Sequence, residues 1–397
     1  MKCGGETMKT TRRQFFGQVV FGGAALAIGG AAARPDKTPF PVLAASGSPG
    51  TLGLAHGRAF TAQVKHNVAF YLRYLSKRTG REPQRILSIA RSFAPVLKAK
   101  TPALLEEIQG IAAGAHCSVA EILAVNARTD LLVLGRRRTV GGQRTRPATP
   151  GCTAMTLQQR VAGRNLLALG QNWDWDPALR KNSVILRLQP DGGPRVVTFA
   201  EAGMVGKIGY NSRRLGVCLN FLRHPSDDPE REPGVPVHCL LRAVMGCCSL
   251  AEARQLVAQA PRCASANFLL AQAAADGPVA EDLEWTPTTT ASLLMQRGIL
   301  VHTNHFKAET LSQHVVSGNS FERDRRAARM AAALRNSSPD PVDRMRRILA
   351  LGDEHPVALS RASTQAGIIM DLTRDCLLVC AGPPHQGRWV ALPGVAS

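Results

Sequence analysis

GCTAMTL, residues 151–157, sets a cysteine between a glycine and the start of a weakly hydrophobic run. A lone cysteine is by default a small buried hydrophobe, so Cys152 acquires meaning only from what surrounds it. On its N-terminal side lies RRRTVGGQRTRPATPG, residues 136–151. Five arginines, scattered glycines and prolines and no apolar period mark an exposed, protease-accessible loop. On its C-terminal side the pattern turns to period two. CTAMTLQ, NLLALGQ (165–171), SVILRLQ (183–189), RVVTFA (195–200) and RLGVCLN (214–220) read as strands.

Before the loop, residues 55–130 read as a helical block. Val64, Val68, Tyr71 and Leu75 share one face of a helix over 61–79. Helices are expected over 83–97 and 102–114, each with a proline near its start, and SVAE (118–121) spells a capping box. After the first strands come helices at about 236–247 and 249–259. Strands follow at 267–272, 279–285 and 299–303, helices at 321–335 and 341–351, and strands at 365–371 and 376–381. Two clusters of strands with helices between them predict an α+β fold of two antiparallel sheets packed together and covered by helices.

Residues 1–33 stand apart. TTRRQFF (10–16) precedes VVFGGAALAIGGAAA (19–33): a basic segment, an apolar stretch and an A-x-A ending. This is a secretory signal pattern, and the paired Arg12-Arg13 suits the twin-arginine route, which predicts export. The organisation expected is a signal over 1–33, a helical chain over 34–151 ending in the arginine loop, and a chain over 152–397. The last two form one unit. No stretch past the N-terminus is long and apolar enough to span a bilayer.

Of the net charge of +20, residues 34–151 hold +12. Aromatics are 5% and no nucleic-acid motif is present, which argues against a nucleic-acid partner. A weak attraction to an anionic envelope surface stays open. The ten cysteines have no CxxC pair, so neither a zinc ribbon nor a regular disulfide framework is expected. Val301-His302-Thr303-Asn304-His305 holds an HxxH spacing without a carboxylate near it in sequence. The two histidines would face opposite sides of a strand, and no metal or other cofactor is expected.

The position of Cys152 allows one specific chemistry. If the Gly151–Cys152 bond is cut, the new α-amine, with a reference pKa near 7.7–8.0, can take the thiol proton. Nucleophile and base then belong to one residue.

LGLAHGR (52–58), GIAAGAHCSVAEILAVNARTD (110–130), GCTAM (151–155), GQNWDW (170–175), EAGMVGKIGYN (201–211), GVPVHCLLRA (234–243) and VHTNH (301–305) follow one another in this order. Together they resemble the acyl-coenzyme A:6-aminopenicillanic acid acyltransferase family of self-processing N-terminal-nucleophile hydrolases. The likeness covers roughly residues 50–385. It implies a four-layer αββα sandwich, cleavage between Gly151 and Cys152, and Cys152 as nucleophile. It further implies Asp174 beside the α-amine, Asn304 as an oxyanion donor, and Ser265 and Arg361 as further site residues. The expected activity is hydrolysis or transfer of the acyl group of a small N-acylated amine or amino acid through a thioester. Two alternatives remain open at this point. One is an uncut cysteine hydrolase with His302 or His305 as base. The other is a non-catalytic envelope binding protein on the same fold.

Overall fold

The computed structural model describes residues 38–136, 151–312, 319–352 and 357–395. The expected signal over 1–33 and most of the arginine loop lie outside them. Strand β1 (Val42–Gly47) leads into α1 (Pro49–Ala59), α2 (Thr61–Thr79), α3 (Pro83–Arg91), α4 (Ala94–Lys100), α5 (Pro102–Ala115), α6 (Val119–Asn126) and α7 (Arg128–Leu134). The capping box forms as read: Ser118 Oγ accepts from Glu121 N, and Glu121 reaches back to Ser118 N at 2.7 Å. The single helix expected over 83–97 is two. Pro95 has no N–H to give, and its ring would strike the carbonyl four residues back, so the helix ends at Arg91 and restarts.

Past residue 151 come β2 (Thr153–Val161), β3 (Arg164–Asp174), β4 (Ser183–Pro190), β5 (Val196–Glu201), β6 (Ile208–Asn211) and β7 (Leu215–Phe221). Next are α8 (Val237–Val244), α9 (Leu250–Gln259), β8 (Ala266–Ala274), β9 (Gly277–Trp285), β10 (Thr290–Leu294) and β11 (Ile299–His302). The described chain closes with α10 (Ser320–Ala333), α11 (Pro341–Leu349), β12 (Thr364–Asp371), β13 (Cys376–Ala381) and β14 (Val390–Pro393). Ala162 (φ 47°) and Gly163 (φ 80°) make the two-residue turn between β2 and β3, the left-handed pair that tight hairpins require.

The strands form an eight-stranded sheet, β1-β4-β5-β6-β7-β8-β9-β10, and a six-stranded sheet, β11-β2-β3-β12-β13-β14. Their faces meet where Gln171 on β3 bonds the backbone of Leu219 on β7 in both directions. Helices α8 and α9 pack on the larger sheet, and α10 and α11 on the smaller. The αββα order is therefore the fold. One pairing departs from the all-antiparallel expectation: β1 runs parallel to β4. A parallel neighbour needs a long crossover, and the helices between them supply it.

Helix α1 begins ahead of the helical block expected over 55–130 and carries three glycines. They are there because α1 and α5 touch backbone to backbone. A methyl on Gly57 would fall inside the envelope of the Ile111 carbonyl, and one on Gly114 inside that of Leu54. Gly57→Ala should destabilise the protein by about 3 kcal/mol, the upper range of overpacking. Gly193→Ala, whose nearest neighbour would be 3.8 Å away, should be neutral. Thermal melts of the two variants check both.

Candidate active site

Strand register alone gathers the expected residues. Thr153 pairs with Asn172 and Asp174 with Thr364, while His302 pairs with Ala154. Cys152, just before β2, Asp174, ending β3, and Asn304, just past β11, therefore lie at one end of the six-stranded sheet. Arg361 stands three residues ahead of β12 at the same end.

Cys152 is 4% exposed. Its thiol points to the Asp174 carbonyl at 3.7 Å. Burial, with help from the Asp174 carboxylate, pushes it up to about 11, while Lys207 and Arg323 pull weakly the other way. In the uncut chain Cys152 is a neutral thiol at pH 7. The nine described cysteines are all free thiols.

Arg361 is the hub of the site. Nε donates to Asp174 Oδ2 at 3.0 Å, and Nη2 donates both to that oxygen and to the Gly151 carbonyl. Thr364 Oγ1 donates to Asp174 Oδ1 at 2.6 Å. Burial raises the Asp174 carboxyl pKa, while Arg361 and Thr364 counter it. Gly151 has a reason beyond flexibility: a side chain there would strike the Arg323 guanidinium and approach Asn304 Oδ1 at 2.9 Å.

Asn304 Nδ2 donates to Phe221 O at 3.0 Å, and its Oδ1 accepts from Arg323 Nη2 at 3.1 Å. Its amide is thus fixed at both the donor and the acceptor end. Removing one oxyanion donor costs about 10²–10³ in rate. Asn304→Ala should fold normally and lose that factor in kcat, measured on whichever N-acyl substrate the wild type turns over.

Arg323 was missed by sequence reading. In FERDRRAARM it looks like one charge on a solvated face, yet it is 1% exposed. Its Nη1 donates to Cys152 O at 2.6 Å and to Thr153 Oγ1 at 3.1 Å. The available signal was its company: Ser320, Arg323, Ala327 and Ala331 form the buried stripe of α10.

Ser265 makes its hydrogen bonds outside this group. Its Oγ donates to Asp227 Oδ1 at 2.6 Å, as does its backbone N–H at 2.9 Å. Among the described residues it makes no hydrogen bond with Cys152, Asp174 or Asn304. It anchors the loop that carries Asp227.

The histidines differ from the strand reading as well. Because β11 stops at His302, alternation does not extend to His305, and the two rings stack with centroids 6.3 Å apart. His302 bonds Thr303 O through Nδ1 and Glu284 Oε1 through Nε2, both at 2.7 Å, with Asp282 Oδ2 at 3.6 Å. The packing of one sheet on the other thus brings two carboxylates of β9 that the local sequence lacks, and these three side chains are close enough together to hold an ion. With both ring nitrogens donating, His302 is an imidazolium with no lone pair left for a metal. Burial opposes that charge, but Asp282 and Glu284 outweigh it and hold the pKa up. His305 bonds Thr303 and Ser320. Among the described residues neither histidine makes a hydrogen bond with Cys152, whose thiol turns to Asp174 O instead.

Beside Cys152 lies a cavity of about 20 Å³ walled by Trp173, Trp175, Leu132, Leu219 and Phe221, with Arg128 and Asp174 at its edge. Such a site can hold an apolar acyl group against a thiol once the walls move apart.

Residues 161–385 match the family model described as acyl-coenzyme A:6-aminopenicillanic acid acyl-transferase. The chain belongs to this family. A curated member, the 40 kDa form of acyl-coenzyme A:6-aminopenicillanic-acid-acyltransferase of Emericella nidulans, is 30% identical over 264 residues, which is 65% of this chain and 67% of that protein. Two solved structures are more distant. Penicillin V acylase from Agrobacterium tumefaciens is 12% identical with a TM-score of 0.43, covering 61% of this chain and 86% of that one. A mutant of conjugated bile acid hydrolase from Clostridium perfringens is 15% identical with a TM-score of 0.40, covering 60% and 92%. Within the acyltransferase family the chemistry is acyl transfer or amide hydrolysis, and the αββα layers described above are the fold that houses it here.

Proposed function

We propose that this acyltransferase-family protein is a precursor that cuts its own Gly151–Cys152 bond, and then works as a cysteine amide hydrolase or acyltransferase on small N-acylated amines or amino acids. The observation that carries the reading is the placement of Gly151: its carbonyl accepts from Arg361 while the Cys152 thiol follows it in the same buried site. In the first reaction Cys152 Sγ attacks the Gly151 carbonyl carbon, and the thiol proton leaves to a base as the bond forms. The tetrahedral oxyanion develops on Gly151 O, facing the Arg361 guanidinium. The C–N bond breaks, the Cys152 nitrogen takes a proton, and a thioester remains. Water hydrolyses it, leaving a carboxylate on Gly151 and a free thiol and α-amine on Cys152.

In turnover the α-amine takes the thiol proton, Asp174 orients that amine, and the thiolate attacks the substrate acyl carbon. Asn304 Nδ2 and a backbone N–H serve the oxyanion. The leaving amine takes the proton back, and water or an acceptor amine discharges the thioester. A thiol pushed up to about 11 in the uncut chain fits slow, single self-cleavage through another base, while the α-amine that serves repeated turnover appears only with the cut. The name of the curated relative pairs an acyl group with an amine, 6-aminopenicillanic acid, which supports amides of small amines as the substrate class. Export through the segment over 1–33 belongs to the same proposal.

Intact mass and N-terminal sequencing of purified protein test it. Two polypeptides are expected, the second starting at Cys152. A single uncut chain that turns over substrate would overturn the mechanism.

A further inference from the structure

Arg128 opens α7, in the part of the chain ahead of the expected cut, and is 2% exposed. Its guanidinium carbon lies 4.2 Å from the ring centre of Trp175, 5.3 Å from Trp173 and 5.1 Å from Tyr71. Only Nη2 has polar neighbours: His238 Nε2 at 3.4 Å and Glu201 Oε1 at 3.6 Å. Nε and Nη1 have no hydrogen-bond partner among the described residues. Glu201 cannot supply one. Its carboxylate is taken by Lys207 at 2.6 Å and by the Tyr71 hydroxyl. Glu201 is thus the carboxylate that faces both basic side chains, and burial together with the Arg128 charge brings the Lys207 ammonium down to about 7. His238 adds no charge, because burial and the neighbouring cations hold it neutral. Lys207 Nζ lies 3.3 Å from the Trp173 ring centre, on the same aromatic wall.

Burying donor groups of a charged side chain without acceptors is costly, and a buried cation without its own counter-ion more so. The cation–π contacts offset part of that through the faces of the guanidinium, but the N–H groups lie in its plane. Arg128 lines the cavity that also holds Cys152. An anion brought in by a ligand would complete both the hydrogen bonds and the charge.

We infer that Arg128 is a substrate-recognition residue that takes a carboxylate, so that the preferred substrates are N-acylated amines carrying a carboxylate within reach of the scissile amide. The inference rests on the cysteine amidase reading and names its substrate class. Because the cavity in the uncut chain has room for a single water, the carboxylate enters as the aromatic wall shifts.

Two pairs of compounds test it on the mature protein. Hexanoylglycine and hexanoylglycinamide differ by a carboxylate on the amine half. N-methyladipamic acid and its methyl ester differ by one on the acyl half. Wild type should favour the acid of at least one pair in kcat/KM by about 10- to 100-fold, the loss expected for an unmet charged hydrogen bond. Arg128→Gln should erase that ratio, and Arg128→Lys should keep part of it. A folding defect would lower both members of a pair together and leave the ratio standing. A preference that survives Arg128→Gln, or its absence from wild type in both pairs, overturns the inference. Thermal stabilisation by the same compounds needs no turnover. If the acid stabilises wild type but not Arg128→Gln while nothing is hydrolysed, the anion site stands and the amidase reading fails. Turnover without discrimination is the reverse result.

Discussion

Cys152→Ala is expected to give one uncut chain with no amidase activity. The substitution removes the attacking sulfur from both reactions at once, so neither should fall to a partial rate. It should also leave the fold intact, because the thiol makes only one weak hydrogen bond among the described residues, to Asp174 O at 3.7 Å, and alanine fills most of its volume. Gel electrophoresis under denaturing conditions reads the first effect, and turnover of any substrate accepted by the wild type reads the second. Residual cutting at Gly151–Cys152 in this variant would mean that another protease does the work. Cys152→Ser is a useful companion. A hydroxyl is far less ionised than a thiol at neutral pH, so cutting should persist, slowed by orders of magnitude.

The second large effect belongs to Arg361. Its guanidinium is the ion-pair partner of a carboxylate that is 1% exposed, and a donor to the Gly151 carbonyl. Arg361→Gln strips Asp174 of its counter-ion. Breaking a buried pair from one side costs about 3 kcal/mol or more, or roughly 4 °C in melting temperature for a chain of this size. The loss should depend on pH in a definite direction. Burial already raises the Asp174 pKa, and Arg361 is the first influence opposing that rise, so its removal lifts the folded-state pKa further above the unfolded value. A carboxyl shifted that way favours folding while protonated and loses that contribution as pH rises through the folded pKa. The gap between variant and wild type should therefore widen from pH 4 towards neutrality. Self-cleavage should slow by about 10²–10³ as well, the usual penalty for a missing oxyanion donor. A melting temperature gap that is flat across this range would show that Asp174 does not depend on Arg361.

The layers, most strands and the trio Cys152, Asp174 and Asn304 were legible because they rest on local signals. Those signals are period-two runs, a Pro-Gly before the cysteine, and short motifs in a fixed order. What was not legible depends on contacts distant in sequence. The α1 glycines find their reason only in α5, where Gly110 and Gly114 are the close neighbours that need them. The partner of Ser265 was not legible because Asp227, 38 residues away, is what it meets. Glu284 and Asp282 reach His302 only because β9 of the larger sheet packs across from β11 of the smaller one. Arg323 and Arg128 look like surface charge in one dimension, and only packing reveals that each is buried against the site.

The two sides of the expected cut are tied together far from it. Asn67, Asn126 and His56 bond the backbone of Ala202, Gly203 and Val205, and β1 is bound along its length to β4. Severing Gly151 from Cys152 would leave that assembly in place, yet it would alter the protein's relation to its own unfolded state. An uncut chain that unfolds keeps its halves at the high effective concentration of a tether. A cut chain that unfolds must find its partner by diffusion, and its apparent stability becomes dependent on protomer concentration. Maturation would thus make the fold a one-time event, kept afterwards by slow unfolding instead of by reversible return.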